Sequence, residues 1–307
     1  MICMPTFSSG LRATLARAAE TLTGDALEDV VSFLHAEMNP DGGFEDRSGA
    51  SDLYYTVFGL ESLEALGDTE LSADTVGYLE AFGDGKALDF VHLCCLARCW
   101  RRLPVARDPD ATRALAERLE EYRTADGGYG VEASAPNGTA YGAFLAMQAY
   151  EDLDLNLPGR AGLARCVEGL RTGSGAYSNV RGGPAGMVTT TASAALVLGR
   201  LDRPLDEGVG KWLMSCCDPD GGFRAAPQAP QPDLLSTATA LYALKVLDVP
   251  LKAIADDCFE YVESLWDHTG GFRGHIHDPV PDSEYTYYAL LALGCLADYE
   301  AGGAGGE

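Results

Sequence analysis

Two histidines and two acids near the end of the chain have the types and spacing of metal ligands. The segment HTGGFRGHIHD contains His275 and His277, and Asp282 and Glu284 follow a few residues later. Imidazole nitrogens two residues apart, with carboxylates nearby, can bind a metal ion. The same residues also have ordinary roles, as solvated loop histidines, a helix-capping acid and a first-turn acid. Both interpretations stay open from the sequence.

Arginines recur in loops of one kind, each of which follows a glycine turn. The chain has 46 acidic and 22 basic residues, so this placement of basic groups is unusual. If the loops lie at one end of the fold, the guanidinium groups and neighbouring helix N-termini would suit a diphosphate. The alternative is pairing with local acids such as Asp46. The four arginines are Arg47, Arg181, Arg224 and Arg273.

Aromatic residues are frequent in the apolar segments that come directly after these loops. Together they could line a pocket for an apolar ligand, whereas any one of them alone is more often packed in a core. The candidate pocket residues are Tyr54, Tyr55, Tyr141, Phe144, Tyr242, Tyr285 and Tyr287.

All of these residues occur at defined positions of a sequence repeat. A turn of two glycines or Ser-Gly-Ala ends in an aromatic residue, and the last four copies are 46 to 49 residues apart. The first gap is 85 residues, so one copy has lost its glycine turn, and FGDGKALDF at 82–90 is its remnant. Glycine supplies the left-handed backbone that stops a helix, and an Asp at the start of the next helix caps it. The aromatics are Phe44, Tyr129, Tyr177, Phe223 and Phe272, and the predicted caps are Asp52, Asp233 and Asp282.

Each period contains two helices of different character. One is amphipathic and charged, as in ALEDVVSFLHAEM, and the other is apolar on nearly every side, as in LLSTATALYALKVL. A helix that is apolar all round must be buried, and one with a polar face borders solvent. Six pairs therefore predict an all-α ring of inner and outer helices, closed because one pair cannot bury its inner helix alone. We expect one domain at 26–299, an N-terminal helix or extension at 1–25 and a flexible tail at 300–307.

Composition excludes several functions. A formal charge of −24 disfavours nucleic acid, which requires a basic surface. No apolar run approaches the roughly 18 residues that a membrane span needs. Eight of the nine cysteines fall in helical patterns without a CxxC pair, which indicates reduced thiols and a cytoplasmic protein.

The segment GGFEDRSGASDLYYTVFGLESLEALG at 42–67 resembles a repeat of the protein prenyltransferase β subunits, closest to the geranylgeranyltransferase type. The repeat pattern over nearly the whole chain is also similar to the squalene and terpene cyclases. This resemblance implies an α/α toroid, that is, an α6/α6 barrel of six helical hairpins. It also implies an isoprenoid diphosphate in a central cavity, a protein substrate and a helical partner subunit.

The resemblance further implies a zinc ion, held by an Asp, by a Cys two residues later and by the His of the next repeat. That zinc makes a substrate thiolate, which attacks the isoprenoid diphosphate. The family's His falls on Tyr55 here. Asp282 and Tyr285 match the Asp and a following Tyr, but Glu284 stands in place of the Cys. The zinc set is therefore altered, although a closed ring would still bring Asp282 and Glu284 near Tyr55.

Three functions follow from the sequence. The first is a prenyltransferase β-subunit-like protein that binds an isoprenoid diphosphate and possesses, or has lost, transferase activity. The second is a non-catalytic relative that serves as a docking platform. The third is a small terpene cyclase, although the acidic segments at 108–111 and 254–257 match the D-x-D-D pattern of those enzymes only in part.

Overall fold

The computed structural model describes residues 7–22, 24–103 and 108–300. Two N-terminal helices, α1 (Phe7–Ala16) and α2 (Ala18–Thr21), precede six helical hairpins. The outer helices are α3 (Asp25–Ala36), α5 (Ala73–Glu80), α7 (Pro109–Glu120), α9 (Arg160–Glu168), α11 (Gly208–Met214) and α13 (Ala255–Ser264). The inner helices are α4 (Leu53–Ala65), α6 (Phe90–Trp100), α8 (Ala140–Asp152), α10 (Val188–Arg200), α12 (Leu234–Val246) and α14 (Ser283–Glu300).

The inner helices form a closed ring. Each packs on the next along the chain, and α14 packs on α4, so the last hairpin lies beside the first. The predicted α/α toroid of six hairpins is therefore confirmed. Among the described residues, no helix has the length and apolarity required to cross a membrane.

The two classes of helix are buried as their composition predicts. The inner helix α12 is buried on nearly all sides, because its neighbours in the ring and its own outer helix surround it. The outer helix α7 buries only Leu115 and Leu119, which lie four residues apart on one face. A narrow apolar stripe of this kind is what an amphipathic helix at a solvent boundary requires.

The aromatic residue of each glycine turn is buried and pairs with the end of the preceding outer segment. Antiparallel bridges join Met38 to Phe44, Arg123 to Tyr129, Arg171 to Tyr177, Cys217 to Phe223, and Trp266 to Phe272. In one copy the pairing extends to two short strands, β1 (Phe223–Arg224) and β2 (Pro232–Asp233), with Phe223 opposite Asp233.

A threonine in the following inner helix accepts a hydrogen bond from the backbone amide of the turn aromatic. The Phe223 amide donates to Thr237 Oγ1 over 2.9 Å, and the Phe272 amide donates to Thr286 Oγ1 over 3.1 Å. Phe44 and Tyr177 have the same partner in Thr56 and Thr191. An amide that the buried ring would otherwise leave unpaired is thereby satisfied. The sequence contains these threonines at equivalent positions, but the sequence analysis did not identify them.

The first glycine of a turn lets it approach the next outer helix. Gly42 has φ of +89°, and a Cβ there would lie 2.1 Å from the Thr75 amide nitrogen in α5. Gly270, in the last turn, has φ of +96°, and its Cβ would lie 2.3 Å from the Asp29 carbonyl in α3. Any side chain would collide with backbone at both positions, so glycine is required where the last hairpin meets the first.

The predicted caps are confirmed. Asp52 accepts a hydrogen bond from the Tyr54 amide, Asp233 from the Ser236 amide and Asp282 from the Tyr285 amide, over 2.7, 2.7 and 2.8 Å.

Helix α1 lies across one end of the ring, where it contacts α4, α8 and α14. Asp152, the last residue of α8, binds both Ser8 Oγ and Arg12 Nη1 over 3.2 Å. Arg17 reaches Asp298 of α14 over 2.7 Å. The N-terminal segment therefore closes the ring at the C-terminal ends of the inner helices. Of the tail predicted at 300–307, residue 300 is the last of α14, and residues 301–307 lie outside the described residues.

Candidate functional site

A cavity of about 220 Å³ runs along the axis of the ring and is lined by the inner helices and by Leu11 of α1. The second, sixth and ninth residues of each inner helix point in this direction, because spacings of four and three residues return to one helix face. Every inner helix begins at the end of the ring that carries the turn loops. Its second, sixth and ninth residues therefore lie at three common depths and form three layers. At 1.5 Å rise per residue, the first and last layers are about 10 Å apart.

We name the layers by depth. The mouth layer consists of Tyr54, Val91, Tyr141, Thr189, Leu235 and Glu284. The middle layer consists of Phe58, Cys95, Leu145, Ser193, Thr239 and Tyr288. The deep layer consists of Glu61, Arg98, Gln148, Leu196, Tyr242 and Leu291. All but Glu61 and Glu284 are part of the cavity wall, to which Tyr287 and Phe144 add further rings.

Of the aromatics that the sequence predicts for a pocket, Tyr54, Tyr141, Phe144, Tyr242 and Tyr287 line the cavity. Tyr55 and Tyr285 lie outside its wall, on other faces of α4 and α14. Phe58 and Tyr288 also line the cavity and were not predicted, although each lies four residues after a mouth-layer residue on the same helix face.

The first and last hairpins meet at a cluster of charged groups. Arg47 Nε donates to Asp282 Oδ2 over 2.8 Å, and Arg47 Nη2 donates to Asp278 Oδ2 over 2.8 Å. The guanidinium group also lies 5.4 Å from the centre of the Tyr285 ring. Burial raises the pKa of Asp282, although the Tyr285 amide and Arg47 act in the opposite direction. Two carboxylates thus occupy Arg47, and the contacts join α14 to the loop before α4.

The other loop arginines are also engaged locally. Arg181 pairs with Asp126 over 3.3 Å, and Arg224 pairs with Asp218 over 2.6 Å. Arg273 donates to the backbone carbonyl of Trp266. None of the four loop arginines lies on the cavity wall, so the structure does not bring them together there.

The candidate metal ligands are committed to other partners. The His277 amide donates to His275 Nδ1, and the two rings are 6.4 Å apart. Glu284 accepts a hydrogen bond from the Tyr54 hydroxyl over 2.5 Å, and Ser283 Oγ donates to the carbonyl of Tyr55. Within the described residues there is no group of three His, Cys, Asp or Glu side chains placed to hold a metal. As arranged here, these donors do not form a zinc site, and the zinc prediction gains no support from the geometry.

Glu284 and Tyr54 form a proton-bearing pair at the cavity mouth. Burial raises the pKa of Glu284 to about 7, although the hydrogen bond from Tyr54 opposes this shift. Such a carboxyl group can exchange a proton with an oxygen near neutral pH. The same burial makes it a weak acid, so it is poorly suited to protonating an unactivated alkene, as a cyclase of the D-x-D-D type would require.

The sequence analysis missed a second charged group near the mouth. His92, next to Val91, lies between Asp52, 3.2 Å away, and Asp89, 2.8 Å away. Hydrogen bonding to Asp52, then to Asp89, raises the pKa of His92 to about 9. The sequence signal was the acid three residues before it at the start of the helix.

The deep layer contains a buried ion pair that was also missed. Arg98 Nη2 donates to Glu61 over 2.6 Å and Arg98 Nε donates over 3.2 Å, with side chains 6% and 3% exposed. Arg98 is the charged side chain in the described part of the cavity wall. An acid and a base at the ninth position of two largely apolar helices were the available signal.

The fold and cavity define an α/α toroid with an aromatic, axially placed pocket. The sequence profile of the prenyltransferase alpha-alpha toroid domain matches residues 23–92 and 185–302, which is more than half of the chain. The chain therefore belongs to the prenyltransferase alpha-alpha toroid family.

Solved structures with the same fold are distant in sequence. Candida albicans protein geranylgeranyltransferase-I complexed with GGPP is 14% identical, with a TM-score of 0.69 over 87% of this chain and 90% of that one. The type II terpene cyclase MstE from Scytonema is 13% identical, with a TM-score of 0.61 over 92% and 98% of the two chains. A possible GH105 member from Salmonella enterica is 14% identical, with a TM-score of 0.55 over 98% and 96%. No curated protein matches the sequence.

Proposed function

We propose that the protein binds an isoprenoid chain in its central cavity. The observation that carries this proposal is the cavity itself, which lies on the ring axis and is walled by aromatic and aliphatic side chains. Membership of the prenyltransferase toroid family supports it. So do the ligands of two structures with this fold, GGPP in one and geranylgeranyl dihydroxybenzoate in the other.

The wall chemistry suits such a chain. Aromatic rings present large apolar surfaces with few conformational degrees of freedom, and Tyr54 lies in the mouth layer with Phe58 and Tyr288 in the middle layer below it. Each buried CH₂ group contributes about 0.8 kcal/mol, so affinity should rise with each isoprene unit until the cavity is filled. Because α1 closes the deep end, the series should then reach a limit rather than continue.

The diphosphate, the transfer to a thiol and the partner subunit are narrower proposals. A diphosphate at the mouth would have to displace carboxylates from Arg47 or His92, since each is already paired with two of them. Both prenyl alcohols and prenyl diphosphates therefore belong in the test. Measuring the zinc content of the wild type and of Asp282→Ala tests whether the protein binds this metal.

The experiment is calorimetric titration with geranyl, farnesyl and geranylgeranyl ligands. A Ser193→Phe variant places a ring in the middle layer and should abolish binding. Ser215→Phe is the matched control, because Ser215 is exposed at the end of α11 and its hydroxyl group, like that of Ser193, donates to a backbone carbonyl of the preceding helical turn. Equal binding by both variants, or none by the wild type at micromolar ligand, would show that the cavity is not the site.

A further inference from the structure

Gln148 is a buried polar group on the cavity wall whose chemistry the proposed function does not use. Its side chain is in the deep layer, on α8, and the residue is 2% exposed. Its carbonyl oxygen, Oε1, has no hydrogen-bond partner among the described residues. A buried acceptor without a donor is costly, so native proteins nearly always supply one. Gln148 borders the cavity, so a ligand that reaches the deep layer would meet this amide group.

The groups around Gln148 decide which kind of ligand atom fits. Arg98, on the neighbouring helix, is already neutralised by Glu61 through two hydrogen bonds. Asp152 lies one helical turn further along α8. Burial, and then repulsion from Glu61, raises the pKa of Asp152 to about 6. The carboxylates of Glu61 and Asp152 are paired with Arg98 and Arg12, so an anionic group entering here would find no unpaired cation on the described part of the wall. A neutral group that donates a hydrogen bond has no such penalty.

The mouth layer is mostly apolar, and its polar wall groups are the hydroxyls of Thr189, Tyr141 and Tyr54, the last of which is bonded to Glu284. Beside it, the Asn179 amide oxygen accepts a hydrogen bond from the Tyr141 backbone. Three of the loop arginines are held by acids and the fourth by a backbone carbonyl, all away from the wall. The buried wall acceptor that lacks a donor therefore lies at the deep end of the cavity and not at the mouth.

We propose that the cavity binds a neutral isoprenoid alcohol with its hydroxyl group inward, donating a hydrogen bond to Gln148, and with its hydrocarbon chain toward the mouth. This inference rests on the proposed function, because it requires an isoprenoid chain in the cavity. It names the substrate class and the orientation. The primary amide of a glutamine both accepts and donates hydrogen bonds, so a hydroxyl group can donate to its oxygen or accept from its nitrogen.

The experiment measures the affinities of farnesol, of the hydrocarbon β-farnesene and of farnesyl diphosphate. The variants are Gln148→Leu, which keeps the side-chain size but removes the acceptor, and Gln228→Leu, the same exchange at an exposed position away from the cavity wall. The wild type should bind farnesol at least tenfold more tightly than either other ligand. Gln148→Leu should lose this tenfold preference and bind β-farnesene no less tightly than the wild type does. Gln228→Leu should keep the preference.

The outcomes separate this inference from the proposed function. If farnesyl diphosphate binds best, or if Gln148→Leu leaves farnesol affinity unchanged, the inward orientation is wrong while the cavity remains an isoprenoid site. A water molecule on Gln148 would produce the second result. If none of the three ligands binds, both proposals fail. Unfolding curves show whether a variant loses ligand affinity only because its fold is less stable. Replacing an unpaired buried amide by Leu should leave the fold at least as stable.

Discussion

Removing the guanidinium group of Arg98 should strongly destabilise the protein. In Arg98→Met, Glu61 stays buried with 3% of its side chain exposed and loses both hydrogen bonds. Breaking a buried ion pair from one side typically costs about 3–5 kcal/mol, because the remaining charge is desolvated and unpaired. We expect a loss of that order in the free energy of unfolding.

Arg113→Met is the control, because Arg113 pairs with Asp110 on the exposed face of α7. Their side chains are 65% and 81% exposed, so solvent screens the charge that remains. The control should leave the free energy of unfolding nearly unchanged. A double variant, Glu61→Leu with Arg98→Met, should recover to within about 1 kcal/mol of the wild type, since it leaves no buried charge.

The assay is urea unfolding at neutral pH followed by circular dichroism, with the slope of the transition checked for constancy. Equal losses for Arg98→Met and Arg113→Met would refute the reasoning, because burial would then not decide the cost. A double variant as unstable as Arg98→Met would show that packing, and not the unpaired Glu61, is responsible.

Three further changes test other parts of the structure. Thr237→Val should cost about 1–3 kcal/mol in unfolding free energy, because the buried Phe223 amide loses its acceptor. Glu284→Gln should flatten the pH dependence of stability. The folded pKa of about 7 lies above the ordinary 4.5, so Glu284 makes the wild type less stable as pH rises from about 4.5 through 7, by up to about 3 kcal/mol. Arg47→Leu should lower the thermal midpoint, because the nearly buried Asp282 loses its cation.

Each of these has a control. Thr239→Val removes a hydroxyl that bonds only within its own helix and should cost less than 0.5 kcal/mol. Lys211→Leu breaks an exposed pair and should leave the midpoint unchanged. For Glu284, the stability difference between variant and wild type should grow between pH 5 and 8; a constant difference would contradict the assigned shift.

The ring could be predicted because each of its features is local in sequence. Glycine turns, capping acids and the contrast between charged and apolar helices all repeat with one period, so the structure predicted for one copy applies to the others. The ion pair of Arg98 with Glu61 could not be predicted in this way. It joins two hairpins and depends on which helices are neighbours and how they are rotated about their axes.

For the loop arginines, the repeat predicted an arrangement that the structure does not have. Their shared loop position suggested that they would converge on the cavity. In a chain with twice as many acids as bases, however, each guanidinium group finds a carboxylate or carbonyl close by. For Arg47 the partners are more than 200 residues away in sequence, so only the closed ring reveals them. Equivalent sequence positions placed the loops at one end but did not determine the direction of their side chains.

The position of α1 separates the size of the pocket from the stability of the ring. The walls come from six copies of one repeat, in which any change affects packing between hairpins. The floor comes from a segment outside the repeats, with Leu11 at the cavity. The depth of the pocket can therefore change, in evolution or by engineering, through substitutions in a single helix while the repeating scaffold stays as it is.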